Sequence, residues 1–192
     1  MAEAKGRKSL IIVAIIAVVL LIGYSFVKGT YNQLVALDEG VKAAWAQVEN
    51  QLQRRYDLIP NYVNVVKGYA AHEKEVLVTV TEARTRVGQA RTVAEKIEAN
   101  NSLSSALSRL LVVVERYPDL KANQNFIRLQ DELAGTENRI ATERRRYNQA
   151  VQTYNTRTRS FPENILAGLF GFTRAEFFQA PQTATQAPRV SF

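Results

Sequence analysis

The feature that most constrains this chain is a run of 19 uncharged, mostly apolar residues at positions 9–27, SLIIVAIIAVVLLIGYSFV. A helix rises about 1.5 Å per residue, so this run would be roughly 28 Å long and would just cross a hydrocarbon core of about 30 Å. A cleaved signal peptide has a shorter apolar region, of roughly 7–15 residues, and a small-x-small cleavage site. Because neither is evident, residues 9–28 are predicted to be an uncleaved single-pass anchor, with a long secretory signal as the alternative.

Basic residues on either side of the run predict its orientation. Lys5, Arg7 and Lys8 precede it closely, whereas Lys28 and Lys42 are the only basic residues soon after it. Cytoplasmic flanks of membrane helices carry an excess of Lys and Arg. We therefore expect the N-terminal segment, residues 1–8, in the cytoplasm and the body of the protein on the other side of the membrane.

The composition of the rest of the chain is that of a folded domain. Hydrophobic residues make up 46% of the sequence and charged residues 22%, which is enough apolar material for a core. The net charge is +7, but charges of both signs alternate along the chain instead of forming blocks. There is no cysteine, which excludes disulfides, thiolate metal sites and cysteine nucleophiles.

Beyond the anchor, apolar residues recur at intervals of three and four, which predicts helices. We expect the anchor to continue as the first helix of the body, with a fresh helix that starts at the capping-box pattern Thr30-x-x-Gln33 as the alternative. In either case this helix is expected to end at Ile59, because a proline disfavours helical geometry in the residue before it and Pro60 suits the start of a second helix. Residues 100–106, NNSLSSA, are predicted to break the chain before a third, shorter helix that ends at Pro118. A fourth helix with a heptad-like, coiled-coil register is expected over residues 120–159. With no strand-like alternation, the predicted fold is all-α: a transmembrane helix followed by an antiparallel four-helix bundle over residues 29–160.

The sequence contains none of the common motifs that carry catalysis. His72 is the only histidine, and a zinc-binding helix would need a second one where Val76 stands. There is no Gly-x-Ser-x-Gly elbow and no phosphate-binding glycine loop. We therefore expect no enzyme activity, no cofactor and no metal, and we expect His72 and Glu73 to face water.

A cluster of arginines, Arg144, Arg145 and Arg146, forms the densest basic patch. Successive residues on a helix point in different directions, so these three cannot line one groove, and we expect no nucleic-acid binding. They are candidates for contact with anionic lipid or a partner, and the alternative is a solvated face.

Polar residues also fall in register with the apolar stripes of the first and fourth helices. Such residues favour a hydrogen-bonded seam within the bundle or between copies of it, although ordinary surface polarity gives the same pattern. The residues are Gln47, Asn50, Gln51, Gln130, Thr136, Glu137 and Asn138.

The segment at residues 161–180 has too many apolar groups for a free tail, and it precedes a Gln/Thr/Pro/Ala tail at residues 181–192. Exposed apolar groups of this kind usually mark a contact. The segment could dock on the end of its own bundle, on another subunit or on lipid, and the sequence leaves all three open. Its candidate contact residues are Phe161, Leu166, Leu169, Phe170, Phe172, Phe177 and Phe178.

Several of these segments resemble the LemA family. The resemblance is carried by residues 31–76 and 117–151, by FPENILAGLFGF at residues 161–172 and by the closing APRVSF. It implies a bacterial, membrane-anchored four-helix bundle with no established enzymatic activity. The family includes a magnetosome-membrane protein, which implies a role in shaping or organising membrane.

Taken together, these features favour a non-enzymatic scaffold in the bacterial inner membrane that self-associates through its bundle and its C-terminal segment. Its expected partners are the lipid bilayer, further copies of itself and another membrane protein. The alternative is a monomeric membrane-tethered adaptor or sensor that binds another envelope protein.

Overall fold

The computed structural model describes residues 2–179, and all regular secondary structure within that range is helical. The prediction of an all-α protein is therefore confirmed for this part of the chain. In chain order the helices are α1 (Ala2–Tyr69), α2 (Lys74–Gln89), α3 (Val93–Val114), α4 (Pro118–Lys121), α5 (Gln124–Arg159) and α6 (Glu163–Leu169).

Helix α1 is continuous from the apolar run into the folded domain, as the sequence predicted. Its N-terminal apolar stretch has a mean hydropathy of 2.3, and none of that stretch is buried within the protein. Over residues 2–179 it is the one helix that is long and apolar enough to cross a membrane.

The prediction that α1 ends at Ile59 is wrong, because the helix passes through Pro60 and ends at Tyr69. A proline inside a helix removes one backbone hydrogen bond and introduces a clash. Here Ile59 and Tyr62, on either side of Pro60, are each only 1% exposed in the hydrophobic core. Their burial offsets the local penalty, and the chain turns at residues 70–73 instead.

The predicted break at residues 100–106 is also wrong, because this segment lies inside α3. The break comes earlier, at Thr92, whose hydroxyl accepts from the Glu95 amide while the Glu95 carboxylate accepts from the Thr92 amide. This reciprocal capping box starts α3. The break predicted near Pro118 is confirmed, with Pro118 in the first turn of α4. The predicted end of the fourth helix at residue 159 is also confirmed, since α5 ends at Arg159, and Pro162 lies just before α6.

The described residues form two compact units. Unit 1 contains those within Met1–Lys42 and Ala150–Ala175, and unit 2 those within Ala43–Gln149 and Glu176–Phe192. The core of unit 2 draws on α1 to α5 and consists of Ile59, Tyr62, Val66, Ala70, Leu77, Val80, Ala83, Leu103, Ala106, Leu107, Leu110, Val114, Leu120 and Phe126. In unit 1 the buried apolar residues are Leu34, Val41, Val151, Tyr154 and Ala167.

Candidate interaction surfaces

No group of three or more potential metal ligands lies together in the described part of the chain. His72 is exposed in the turn after α1, as expected. The expectation that Glu73 faces water is wrong. Its carboxylate accepts hydrogen bonds from Arg116, at 2.9 Å, and from the Tyr117 hydroxyl, at 3.1 Å. Glu73 therefore joins the start of α2 to the end of α3.

In unit 2, α5 holds the extended chain after α6 through an asparagine. The Asn148 amide nitrogen donates to the Phe178 carbonyl at 3.0 Å, and its oxygen accepts from the Phe178 backbone amide at 2.8 Å. The neighbouring Tyr147 hydroxyl donates to the Glu176 carbonyl at 2.8 Å. Burial raises the pKa of Tyr147, with a further contribution from the Glu176 charge, so the hydroxyl stays protonated and able to donate. We call these contacts the unit 2 clasp.

The Phe178 ring belongs to the same contact. It is buried, lies under the Arg144 guanidinium at 4.0 Å, and is 6.3 Å from the Trp45 ring centre. Of the candidate contact residues, Arg144 and Phe178 are thus brought together within one chain. Burial lowers the pKa of Arg144, and the charge of Glu137 opposes the shift. Arg145 and Arg146 are exposed elsewhere on α5, so the three arginines do not line one groove.

Unit 1 contains an equivalent clasp. Asn155 donates to the Ala175 carbonyl at 2.9 Å and accepts from the Ala175 backbone amide at 2.9 Å. The Tyr154 hydroxyl donates to the Thr173 carbonyl at 2.8 Å. Both asparagine bonds lie in a protected site, since Asn155 is only 6% exposed.

The two clasps repeat a Tyr-Asn pair seven residues apart along α5, and the sequence analysis missed the asparagines. Each heptad of helix rises about 10.5 Å, and three residues of extended chain cover about 10 Å. This match explains why partners in the extended segment recur every three residues, from Thr173 to Glu176 and from Ala175 to Phe178. The signal that could have found them is the repeat YNQAVQTYN at residues 147–155.

Helix α6 in unit 1 ends at Leu169, and Gly171, two residues later, has a φ of 76°. The Phe172 amide donates to the Ala167 carbonyl at 2.9 Å, a Schellman cap that needs this left-handed residue. The turn returns the chain to α1, where Phe170 and Phe172 lie 4.9 and 5.9 Å from the Tyr31 ring centre.

The remaining C-terminal candidates divide by exposure. Leu166 and Phe177 are half-buried. Phe161 and Leu169 are 80% and 74% exposed, and Ile165, which the sequence analysis did not name, is 62% exposed. The segment therefore docks in part on its own chain and leaves four large apolar side chains exposed, the fourth being Phe170 at 44%.

A third feature is an open cavity of 310 Å³ in unit 2, lined by α1, α3 and α5. Arg55, only 5% exposed, donates to Glu137 at 2.8 Å and to the Ser104 hydroxyl at 2.9 Å at this cavity. Burial lowers the pKa of Arg55, and the Glu137 charge opposes the shift. The buried Tyr62 hydroxyl also belongs to the lining and has no hydrogen-bond partner among the described residues. Glu137 was predicted to be a seam residue, and it pairs within unit 2.

Comparison with known proteins gives consistent matches. The model of the LemA family matches residues 44–192. Magnetosome protein MamQ 2 of Paramagnetospirillum magneticum is 29% identical, over 89% of this chain and 72% of that protein. Magnetosome protein MamQ of Magnetospirillum gryphiswaldense is 26% identical, over 77% of this chain and 64% of that protein. Protein LemA of Metamycoplasma hominis is 24% identical, over 80% of this chain and 71% of that protein.

Proposed function

Because the chain belongs to the LemA family and its first helix contains a candidate membrane span, we propose that it is a membrane-anchored scaffold rather than an enzyme. The scaffold self-associates and organises the bilayer around it. Its four longer helices, α1, α2, α3 and α5, form an antiparallel four-helix bundle. Neither the family name nor the names of the relatives denote an enzyme, which supports this class of function.

The observation that carries the proposal is the continuity of α1. A single helix, Ala2–Tyr69, contains both the candidate span and the residues Ile59, Tyr62 and Val66 of the unit 2 core. A Gly/Ser-rich linker would let a tethered module move freely about its anchor, and no such linker separates these two parts of α1. Continuity of this kind suits a structural component of a membrane better than a freely searching adaptor.

The names of the relatives support the membrane-organising part of the proposal. Three of the matched proteins are named as magnetosome proteins. We propose a comparable organising role for this chain at the inner membrane, with its N-terminus in the cytoplasm and its bundle on the other side.

Self-association needs a surface, and α3 offers one in unit 2. Leu111 and Val112 are neighbouring apolar side chains that are 40% and 71% exposed. The substitution Val112→Asp would place a charge on this surface without changing the core. Val78→Asp is the matched control, because it makes the same substitution at another exposed valine, on α2.

The experiment that tests the proposal is the mass of the full-length protein in a mild detergent, compared with a truncated protein that lacks residues 1–29. We expect a discrete oligomer that requires the anchor, that dissociates in Val112→Asp and that persists in Val78→Asp. Monomers in both proteins would contradict self-association.

The second candidate function is a monomeric adaptor or sensor for another envelope protein, and the cavity favours it. A buried cation and an unpartnered hydroxyl lining a partly apolar cavity are the usual components of a recognition site. Recovery of a discrete heterologous partner from cross-linked membranes, with loss of that partner in Tyr62→Phe, would favour this function over the scaffold.

A further inference from the structure

The exposed apolar side chains of unit 1 are confined to two places. Among its described residues, the large ones lie in the apolar run of α1, up to Phe26, or at Phe161, Ile165, Leu169 and Phe170, with Tyr31 between the two sets. Leu169 is 74% exposed and Ile165 62%, which are values similar to those in the apolar run itself, where Leu20 is 67% exposed. Side chains this exposed need a partner outside the chain if they form one surface.

They do form one surface. Ile165 and Leu169 are four residues apart on α6 and so share a face, while Glu163 and Ala167 on the opposite side are buried. Phe161 precedes the helix by two residues and is the most exposed of the set, at 80%. We call Phe161, Ile165 and Leu169 the α6 face.

The α6 face lies close to the end of the apolar run. Tyr31, whose ring contacts Phe170 at 4.9 Å, follows the last residue of the run, Val27, by four positions, or about 6 Å of helix. Arg157, in the last turn of α5, donates to Gln33 on α1 at 2.9 Å and is paired with Glu163 of α6 at 2.7 Å. If residues 9–27 cross a bilayer, these contacts put α6 at the level where the bilayer surface begins.

The charges around α6 suit a headgroup layer. Residues 157–172 contain a single carboxylate, that of Glu163, and it is paired with Arg157 at 2.7 Å. Arg159 and Lys28 are exposed in the same unit. Basic residues near the surface are attracted to anionic lipids, and tyrosines such as Tyr31 concentrate at the membrane–water interface.

We propose that the α6 face inserts into the surface of the bilayer that α1 crosses, so that unit 1 contacts lipid at a second place beside the span. This inference rests on the proposed membrane anchoring. A second copy of the chain is the competing occupant. Lipid is favoured because the span, its flanking cations and the α6 face lie in one unit and the face adjoins the end of the span.

The test uses single-cysteine variants of the full-length protein, which has no cysteine of its own. Spin labels at Ile165→Cys and Leu169→Cys are examined in vesicles of phosphatidylethanolamine and phosphatidylglycerol. Collisions with oxygen, which concentrates in lipid, are compared with collisions with a nickel chelate, which stays in water. Val18→Cys in the span is the lipid control, and Asn164→Cys on a different face of α6 and Val78→Cys on α2 are the matched water controls.

We expect the labels at positions 165 and 169 to be oxygen-accessible, like position 18, and the labels at positions 164 and 78 to be nickel-accessible. If they stay nickel-accessible while position 18 is oxygen-accessible, the α6 face does not insert, and the anchoring proposal survives. If position 18 is nickel-accessible as well, the anchoring proposal fails too. Labels at 165 and 169 that neither reagent reaches would mean a protein partner and would overturn lipid insertion.

Discussion

Removal of the Asn155 side chain should release the extended segment in unit 1. Asn155→Ala deletes the bonds to the Ala175 carbonyl and to its amide, both 2.9 Å long. A neutral hydrogen bond contributes a net ~0.5–1.5 kcal/mol, and a buried group left unpaired adds to the loss. Because Asn155 is 6% exposed, about 2 kcal/mol is expected for the pair. This corresponds to a roughly 30-fold increase in the local opening equilibrium.

Hydrogen exchange at the Ala175 amide measures that opening directly, since this amide donates to Asn155. We expect its exchange in the full-length protein to accelerate roughly 30-fold in Asn155→Ala, while the interior of α5 keeps its protection. Asn138→Ala is the matched control, because Asn138 is an exposed asparagine on the same helix. It should leave exchange at Ala175 unchanged.

An acceleration of less than about twofold, which is less than ~0.5 kcal/mol, would refute the reasoning, because it falls below the range for even one neutral bond. A similar acceleration in Asn138→Ala would refute it in another way, by tracing the effect to α5 as a whole and not to the clasp.

Three shorter predictions follow from unit 2. Glu137→Gln keeps an acceptor for Arg55 but removes the negative charge that lies 2.8 Å from the buried guanidinium, and it should lower the free energy of unfolding by about 1–2 kcal/mol, a loss moderated by the 47% exposure of the Glu137 side chain. Burial raises the pKa of Tyr62 to about 12, so the unfolded state loses the hydroxyl proton at a lower pH than the folded state does. The free energy of unfolding should therefore fall as the pH rises from about 10 to about 12. In thermal melts, Tyr62→Phe should abolish that part of the alkaline loss of stability. Pro60→Ala should raise the melting temperature, since it restores a helical hydrogen bond worth about 1 kcal/mol.

The helices were predictable from sequence, but the position of their ends was less so. The rule that a helix ends before proline gave the wrong end for α1, because Pro60 lies between two residues that are each 1% exposed. A local rule takes account only of the hydrogen bond that proline removes. It omits the free energy gained when Ile59 and Tyr62 are buried in the same core, which depends on tertiary contacts that the sequence does not show.

The segment NNSLSSA shows a second way in which a local rule can mislead. Its asparagines and serines favour caps and turns because their side chains compete for backbone groups. Inside α3 the same side chains bond back to carbonyls four residues earlier, Asn100 to Lys96 at 2.8 Å and Ser105 to Asn101 at 3.1 Å. The true start of α3 was readable, because Thr92 and Glu95 have the spacing of a capping box.

The course of residues 172–179 was the least predictable part of the candidate surfaces. This segment has no regular structure of its own, so neither periodicity nor propensity marks it. The sequence analysis left three destinations open for its aromatic residues, and the structure places Phe172 on Tyr31 and Phe178 on Trp45 and Arg144. Tyr31 and Trp45 lie more than a hundred positions earlier in the sequence than the phenylalanines that they contact, so local sequence patterns cannot predict these contacts.

The clasps explain how an irregular segment can lie on a helix without leaving its backbone unpaired. A helix offers a neighbouring chain no free amides or carbonyls, because its own ladder uses them. An asparagine side chain carries an amide, so it can donate to the carbonyl and accept from the N–H of one residue, as a residue of an adjacent strand does in a hydrogen-bonded pair. Aspartate lacks the donor, and serine lacks the separate donor and acceptor atoms. Asn148 and Asn155 thus give α5 two strand-like binding points, which is why we expect alanine at either one to free the segment and leave the helix intact.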